Sequence, residues 1–248
     1  MKHKTMKKVF RIKMLLNNVV YVSYMLPAKR ILPLVPDKLP LALVDGEKAF
    51  ISIVILRCRD VHLASIPFPR FDYYQLNLRT YVIDPSTGNQ AVYFLKSGVT
   101  SLPVSTTTRV FGLAWQHIKL TIDIENGNKQ NQFSYFVKGE WESEIELHIK
   151  RNKTGNVDLS PFVTMESAVN YLVRPLIGFY RWKGNVGRFE IRHPEVHPVT
   201  LYLNSFRFGL LDRSTLLEPD ELIRPHSVLF VPEARFTIYL PPERMKLI

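Results

Sequence analysis

The sequence predicts a β-rich fold, a single domain whose strands form a mixed or antiparallel barrel or sandwich. The first observation is that short runs rich in β-branched and aromatic residues recur along the chain and alternate with turn-forming residues. The second is that the 248 residues include 17 Pro but only 11 Gly, which favours strands joined by ordered loops over a helical bundle. About ten strands and two or three short helices fit this pattern.

Three segments carry the strand prediction. Residues 49–58 form a long apolar run that is typical of a strand buried on both faces. Residues 73–97 predict two long strands joined by a turn at residues 84–89, where turn-forming residues are dense. Residues 141–150 alternate apolar and polar side chains, as a half-exposed strand does. Further strands are expected at residues 14–25, 118–124, 133–138, 189–192, 200–208, 227–231 and 236–240.

Helical signals are few and short. Residues 26–33 predict one helical turn between prolines, and residues 105–115 predict a short helix capped by Ser or Thr. The best helix is expected over residues 165–174, with Thr164 as its N-cap and Pro175 limiting its length.

The composition describes a folded, basic protein. The chain is 46% hydrophobic and 22% charged, so it can bury a substantial core. A net charge of +11 is compatible with an anionic small ligand, with nucleic acid or with an anionic membrane surface. There is no RNA-binding signature, so no nucleic-acid partner is expected. Part of the excess positive charge lies in a basic N-terminal extension over residues 1–13, at Lys2, Lys4, Lys7, Lys8, Arg11 and Lys13.

Cysteine content and the first segment indicate the compartment. Cys58 is the single cysteine, which excludes an intrachain disulfide framework and a thiolate zinc site, and its strand-like surroundings predict a small buried residue. Arg11, Lys13 and Asn17 interrupt the apolar N-terminal segment, so neither a signal peptide nor a membrane span is expected. We therefore expect a cytoplasmic protein, and a homo-oligomer is compatible with the sequence.

Polar residues on the first strand of the 73–97 hairpin suggest a site. The two-residue period of a strand places Gln75, Asn77, Arg79 and Tyr81 on one face, which faces solvent or lines a wet pocket. The planar guanidinium of Arg79 is suited to hold a substrate carboxylate through two hydrogen bonds, the alternative being a structural ion pair.

Lys96 ends the second strand of the hairpin, directly after an apolar run. Such a cation either extends to solvent or lies in a pocket where its pKa falls. A desolvated lysine with a pKa of about 7 is a competent nucleophile toward a carbonyl carbon. The two alternatives separate a binding protein from an enzyme.

Other chemistries have weaker signals. His193 and His197 have the spacing of metal ligands on a helix, but Pro194 and Pro198 make a helix improbable and no third ligand is evident. We predict no metal and no cofactor. No serine-nucleophile elbow and no Gly-rich phosphate loop occur in the sequence.

Several segments together resemble a known family. They are Tyr-Gln-Leu-Asn-Leu-Arg-Thr-Tyr-Val at 74–82, Ala-Val-Tyr-Phe-Leu at 91–95, the helix with Arg109, Phe-Tyr-Arg-Trp at 179–182 and His-Pro-Glu-Val-His-Pro at 193–198. Their order and spacing over most of residues 15–210 resemble the acetoacetate-decarboxylase-like superfamily, and within it an uncharacterised branch known as a domain of unknown function. The resemblance implies a cone-like antiparallel β-barrel around an internal pocket.

The resemblance also implies residue roles. Acetoacetate decarboxylase forms a Schiff base with a β-keto acid through a lysine in a Gly-Phe-Pro-Lys-Lys motif, and a second lysine lowers the pKa of the first; it is a standard example of an activated lysine. Lys96 stands where that lysine stands. Ser97 replaces the second lysine, and Gln75 occupies a position where the branch usually carries Glu, so both departures weaken the transfer of decarboxylase activity but not of a pocket.

The resulting expectation is an internal pocket for a small anionic carbonyl compound. If the protein is a Schiff-base lyase, Lys96 forms the iminium, Arg79 orients the carboxylate, Gln75 and Tyr81 hydrogen-bond the substrate, and Arg109 is a further binding candidate. The alternative is a non-catalytic ligand-binding β-barrel in which the Lys96 ammonium pairs with an anion. Binding of nucleic acid or a membrane surface through the basic N-terminus is a third, less favoured alternative.

Overall fold

Strands dominate the computed structural model, which describes residues 10–66, 68–110, 112–126, 133–151, 159–182, 184–213 and 216–245. The predicted class, a β-rich barrel with a few short helices, is confirmed. Within the described ranges there are thirteen strands: β1 (Phe10–Pro27), β2 (Leu43–Val44), β3 (Lys48–Leu63), β4 (Phe71–Ile83), β5 (Gln90–Val99), β6 (Gln116–His117), β7 (Lys119–Asn126), β8 (Phe133–Glu140), β9 (Glu144–Arg151), β10 (Ile177–Trp182), β11 (Asn185–Arg192), β12 (Val199–Phe208) and β13 (Ser227–Met245).

Seven of these strands close into a barrel. Their order is β1-β3-β4-β5-β10-β11-β13, and β13 pairs with β1 to complete the circle. All neighbours are antiparallel except β5 and β10, which run parallel. Closure leaves no unpaired barrel edge and encloses an interior that can be filled by side chains or hold a small ligand.

A second layer packs on the outside of the barrel. Beyond β13 the sheet continues antiparallel through β12, β9, β8 and β7. β3 illustrates the consequence: Val54 and Leu56 belong to the barrel interior, whereas Ile53 and Ile55 belong to the core shared with Ile145 of the second layer. The prediction that residues 49–58 are buried on both faces is therefore confirmed, because one strand serves two cores.

The helices are short and occupy the connections. α3 has the predicted N-cap: the Thr164 Oγ1 accepts from the Ser167 backbone N–H at 3.1 Å, and the Thr164 N–H donates to the Ser167 Oγ at 3.1 Å. None of the helices among the described residues has the length and apolar content that crossing a bilayer requires. The helices are α1 (Ala28–Ile31), α2 (Leu102–Val110), α3 (Met165–Leu172), α4 (Gly209–Arg213) and α5 (Pro219–Leu222), with a 3-10 turn at Leu32–Leu34.

The helix predicted over residues 105–115 is displaced toward the N-terminus. α2 begins at Leu102, where the Ser101 Oγ accepts from the Val104 N–H at 3.4 Å. The chain has left the helix by Gly112, whose φ of +79° suits glycine and whose Cα faces the Trp182 ring. Residues 112–115 therefore form a loop that lies against the barrel.

Two further boundaries differ from the sequence prediction. The strands expected at 227–231 and 236–240 form one strand, β13, because residues 233–235 continue the ladder with Leu15, Leu16 and Asn17 of β1. Residues 10–13, assigned from sequence to the basic extension, belong to β1. Residues 1–9 of that extension lie outside the described residues.

The turn between β4 and β5 is held by a buried ion pair. Asp84 is fully buried, and its carboxylate accepts hydrogen bonds from the Ser86 N–H and from the Ser86 and Thr87 hydroxyls at 2.7–3.0 Å. The Arg188 Nε and Nη2 donate to the same carboxylate at 3.1 and 3.0 Å. Burial by itself raises the pKa of Asp84, but these hydrogen bonds prevail and hold that pKa below its ordinary value.

Candidate functional site

A cavity of about 160 Å³ lies inside the barrel. All seven barrel strands contribute to its wall, together with the loops around residues 113–115 and 173–175. Most of the lining is apolar, one buried sector is polar, and the half-buried Lys96 and the exposed Arg181 also border the cavity. That sector is the inner face of β4 and the neighbouring part of β5, with Gln75, Asn77, Arg79 and Ser97.

Arg79 is the buried cation of this inner cavity. It is 9% exposed, and its Nη2 donates to the Leu172 backbone carbonyl at 2.7 Å and to the Tyr81 hydroxyl at 3.4 Å. Its guanidinium carbon lies 5.1 Å from the centre of the Tyr21 ring, and Tyr21 also lines the cavity. Among the described residues, no carboxylate lies within 4 Å of the guanidinium, and the Nε has no hydrogen-bond partner.

This arrangement leaves a positive charge that neutral groups only partly compensate. Withdrawing a charge from water costs several kcal/mol unless an opposite charge or full hydrogen bonding offsets it, and cation–π contacts contribute about 0.5–2 kcal/mol. An anion that enters the cavity beside Arg79 would supply the missing partner. A carboxylate matches the planar guanidinium best, because it can accept two parallel hydrogen bonds.

Tyr81 lies behind Arg79 and outside the cavity wall. It is fully buried, its hydroxyl donates to the Leu172 carbonyl at 2.8 Å, and it shares a hydrogen bond with the Ser52 hydroxyl at 2.7 Å. The same hydroxyl accepts the longer bond from Arg79. The structure thus places Tyr81 as a support for Arg79, whereas the sequence suggested that it touches the substrate.

Gln75 and Asn77 form a connected polar strip. The Gln75 Nε2 donates to the Asn77 Oδ1 at 3.0 Å, and the Gln75 Oε1 accepts from the Cys58 thiol at 3.5 Å. Gln75 therefore uses both ends of its amide within the protein and orients Asn77 toward the cavity. The prediction that Cys58 is a small buried residue is confirmed, and burial raises the pKa of its thiol to about 12, so it is not a thiolate at neutral pH.

Ser97 completes the polar sector from the neighbouring strand. It pairs with Asn77 across the β4–β5 ladder, so both side chains lie on the inner face of the barrel. Its Oγ is buried and has no hydrogen-bond partner among the described residues. A hydroxyl in this position can donate to a ligand oxygen, a role that the sequence analysis did not assign to it.

Lys96 lies on the other face of the same strand. It pairs with Leu78, which belongs to the core between the barrel and the second layer. Its Nζ donates to both carboxylate oxygens of Glu142 at 3.0 and 3.1 Å. Its side chain is 39% exposed. Residues 94–97 border the cavity, but the ammonium group of Lys96 is directed to Glu142 in the loop between β8 and β9.

A bulge in β5 explains this orientation. Arg79 pairs with Phe94 and Leu78 pairs with Lys96, so Leu95 is an extra residue with no partner of its own. A one-residue bulge shifts the alternation of the strand and exchanges the faces of the residues beyond it. Phe94 and Ser97 therefore accompany Arg79 and Asn77 on the inner face, and Lys96 does not.

The remaining predicted residues lie outside the cavity. Arg109 is exposed in the last turn of α2 and does not line the cavity. His193 stacks on Phe236, a residue of the cavity wall, with ring centres 4.6 Å apart. Burial lowers the pKa of His193, and the nearby charge of Arg79 acts in the same direction. Across the described parts of the chain no cluster of three His, Cys, Asp or Glu side chains has the arrangement of a metal site.

Sequence comparison places the chain in an uncharacterised group. Residues 13–235 match the family DUF2071, described as an uncharacterized conserved protein. No curated protein matches the chain in sequence.

Solved structures share the fold. The enduracididine biosynthesis enzyme MppR complexed with pyruvate is 13% identical, with a TM-score of 0.60 over 94% of this chain and 90% of MppR. An acetoacetate decarboxylase-like enzyme from Sphingomonas wittichii RW1 is 8% identical, with a TM-score of 0.61 over 96% of this chain and 94% of the other. Acetoacetate decarboxylase from Legionella pneumophila is 11% identical, with a TM-score of 0.58 over 95% of this chain and 86% of the other. At these identities the likeness establishes the fold alone.

Proposed function

The chain belongs to the DUF2071 family and has the acetoacetate decarboxylase-like fold, and from this premise we propose that it binds a small carboxylate with a carbonyl group in the inner cavity. The carboxylate would lie against Arg79. The carbonyl oxygen would accept a hydrogen bond from Ser97, with Asn77 beside it.

The observation that carries this proposal is the buried guanidinium of Arg79. Its partners are a backbone carbonyl, a phenol and two aromatic rings, and all of these are neutral. A binding site for an anion needs a positive charge that no protein carboxylate already neutralises, since an internal ion pair would have to break before the ligand could bind. Arg79 meets this requirement among the described residues.

The structural neighbours support the size and class of the ligand. MppR carries pyruvate, a small keto acid, within the same fold. A cavity of about 160 Å³ is small compared with the roughly 300–1,000 Å³ of typical drug-sized sites, which suits a compact acid. The buried Ser97 hydroxyl and the amide of Asn77 are neutral groups of the kind that fix the orientation of such a ligand.

Isothermal titration calorimetry with pyruvate and 3-oxobutanoate tests the proposal. Arg79→Met should weaken binding by about 10- to 150-fold, equivalent to the 1.5–3 kcal/mol of a hydrogen bond to a charged group. Arg57→Met is the matched control, because Arg57 is a partly exposed arginine of β3 paired with Asp72 outside the cavity. Equal affinities of Arg79→Met and the wild type for both acids would contradict the proposal.

A second candidate function is Schiff-base catalysis by Lys96, and the observation in its favour is that residues 94–97 border the same cavity as Arg79. The neutral amine would add to the ligand carbonyl and lose water to give an iminium, the electron sink for a subsequent decarboxylation or aldol step. For this, Lys96 has to leave Glu142 and reach the inner face. Catalysis by Lys96 therefore demands a rearrangement that binding by Arg79 does not.

Borohydride trapping separates the two candidates. Hydride reduces an iminium to a stable secondary amine, so protein incubated with a keto acid or a β-diketone is reduced and mapped by peptide mass spectrometry. An adduct on Lys96 that is missing in Lys96→Ala would establish the Schiff base. Absence of any adduct, with the calorimetric effect of Arg79→Met intact, would leave a binding barrel.

A further inference from the structure

A second and larger cavity adjoins the first at one end of the barrel. Its volume is about 440 Å³, and it lies between the start of β1, the end of β3, the start of β4, the helix α2 and the end of β13. Ile66 and Phe68, which are 49% and 73% exposed, mark its opening to solvent. We call it the outer cavity. Its apolar lining includes Phe10, Ile12, Val61, Leu63, Phe71, Val104 and Leu240.

The described wall of the outer cavity is almost entirely apolar and aromatic. Among the residues that the structure describes, no Asp, Glu, Lys or Arg lines it. The His62 Nδ1 is 2.6 Å from the Asp60 backbone carbonyl and is engaged there. Burial raises the pKa of the Tyr73 phenol well above its usual range, so that side chain is neutral. The contrast with the Arg79 sector of the inner cavity is sharp: one compartment suits an anion and the other suits a hydrocarbon.

The two cavities share part of their walls. Six residues border both, and all are apolar or aromatic: Met14, Leu113, Trp115, Tyr180, Phe189 and Ile238. Met14 is unbranched and adapts its shape readily, which suits a boundary between two compartments. The cavity that contains Arg79 therefore adjoins an apolar space, which lies beyond Gln75 and Asn77 along β4, toward the solvent opening.

We infer that the physiological ligand is an amphipathic monocarboxylate, a keto acid whose apolar tail of several carbons occupies the outer cavity while its carboxylate binds Arg79. This inference rests on the proposed function and specifies the class of ligand that the inner cavity would bind. A short acid such as pyruvate would fill the inner cavity and leave about 440 Å³ of apolar space vacant. Each additional methylene that enters this space should increase affinity by about fourfold, the equivalent of 0.8 kcal/mol.

A homologous series of 2-oxo acids, from pyruvate through 2-oxohexanoate to 2-oxooctanoate, tests the inference by calorimetry. 2-Octanone serves as the tail without a carboxylate. Thr107→Trp on α2 places a large side chain in the wall of the outer cavity at a position exposed enough to accept it. Thr106→Trp is the matched control, because Thr106 is exposed on the same helix and does not line the cavity.

We expect the wild-type affinity to rise with chain length and the ratio of 2-oxooctanoate to pyruvate affinity to collapse in Thr107→Trp but not in Thr106→Trp. Arg79→Met should weaken the whole series by a similar factor. Pyruvate binding that depends on Arg79, combined with an affinity independent of chain length, would overturn this inference and leave the proposed function standing.

Two other results would also overturn it. In the first, 2-octanone binds as tightly as 2-oxooctanoate and Arg79→Met changes neither affinity, so the outer cavity takes an apolar ligand without the Arg79 site. If pyruvate also fails to bind, the proposed function fails as well. If light scattering finds a dimer that Thr107→Trp dissociates, and the affinity is independent of chain length, the outer cavity is covered by a second copy of the chain.

Discussion

Arg79 and Arg188 are two arginines buried to the same degree in one barrel, 9% and 7% exposed, with opposite surroundings. The Arg188 guanidinium donates to Asp84 at 3.0 and 3.1 Å and lies 3.3 and 3.5 Å from the carboxylates of Glu243 and Glu190. The Arg79 guanidinium contacts a backbone carbonyl and two tyrosines. The difference lies in the partners, since both side chains emerge from barrel strands.

The comparison separates structural charge from charge that is available to a ligand. A buried cation with carboxylate partners completes an internal network and contributes to specifying the turn that it holds. A buried cation with neutral partners leaves an electrostatic deficit that an anionic ligand can remove. Four predictions probe this contrast, beginning with the largest effect.

Arg188→Met should destabilise the protein by about 3–5 kcal/mol, because it leaves the fully buried Asp84 carboxylate without its cation. Urea denaturation followed by circular dichroism measures the change. The double variant Asp84→Asn/Arg188→Met should recover part of the loss, because the unpaired charge is then gone. A single-variant loss below about 1 kcal/mol would show that the ion pair is not needed.

Protonation of Asp84 at low pH should weaken the Asp84–Arg188 ion pair. The folded-state pKa of Asp84 lies below the ordinary value of 3.8, so the stabilisation is complete above pH 3.8 and is lost as the pH falls through the lower folded-state value. The stability difference between the wild type and Asp84→Asn should therefore be constant from pH 7 to about 5 and shrink below pH 3.8. A difference that stays constant down to pH 2.5 would exclude this titration.

Arg79→Met should change the stability of the ligand-free protein by no more than about 1 kcal/mol, and the change can be a gain. The substitution removes a charge that is not neutralised, and the Leu172 carbonyl keeps its hydrogen bond from Tyr81. The same denaturation measurement applies, which makes the comparison with Arg188→Met direct. A loss as large as that of Arg188→Met would identify Arg79 as structural and remove the basis of the proposed anion site.

Glu142→Gln should have the smallest effect, about 0–1 kcal/mol, because the Lys96–Glu142 pair is 39% and 45% exposed. Thermal unfolding of the variant beside the wild type checks this. If the loss exceeds about 2 kcal/mol, the pair anchors the loop between β8 and β9 to the barrel more firmly than a surface ion pair does.

Sequence periodicity predicted those parts of the fold and site that depend on local alternation. The double burial of β3 and the shared face of Gln75, Asn77 and Arg79 follow from the two-residue period of strands, which left open whether that face turns inward. The N-cap of α3 follows from the preference of Thr for that position. These features require no knowledge of which elements meet in space.

The features that escaped prediction depend on partners distant in sequence. Tyr81 lies behind the cavity wall because the Leu172 carbonyl at the end of α3 reaches it there. β13 is continuous because β1 pairs with its polar middle. The orientation of the Lys96 side chain depends on the bulge at Leu95. No residue in the Phe-Leu-Lys-Ser run at 94–97 is of a type that predicts a bulge. The role of Lys96 as a Schiff-base lysine stays a prediction.

The extra residue in β5 also bears on how members of such a fold can diverge in chemistry. In a ladder that continued regularly from the Arg79–Phe94 pair, Leu95 would lie opposite Leu78, and Lys96 would lie opposite Asn77 on the inner face. Whether an amine or a hydroxyl lines the wall is thus decided by the register between β4 and β5, with every residue type unchanged. A one-residue shift of that register exchanges a hydroxyl for an amine in the cavity wall, a change of chemistry that leaves every residue of the strand in place.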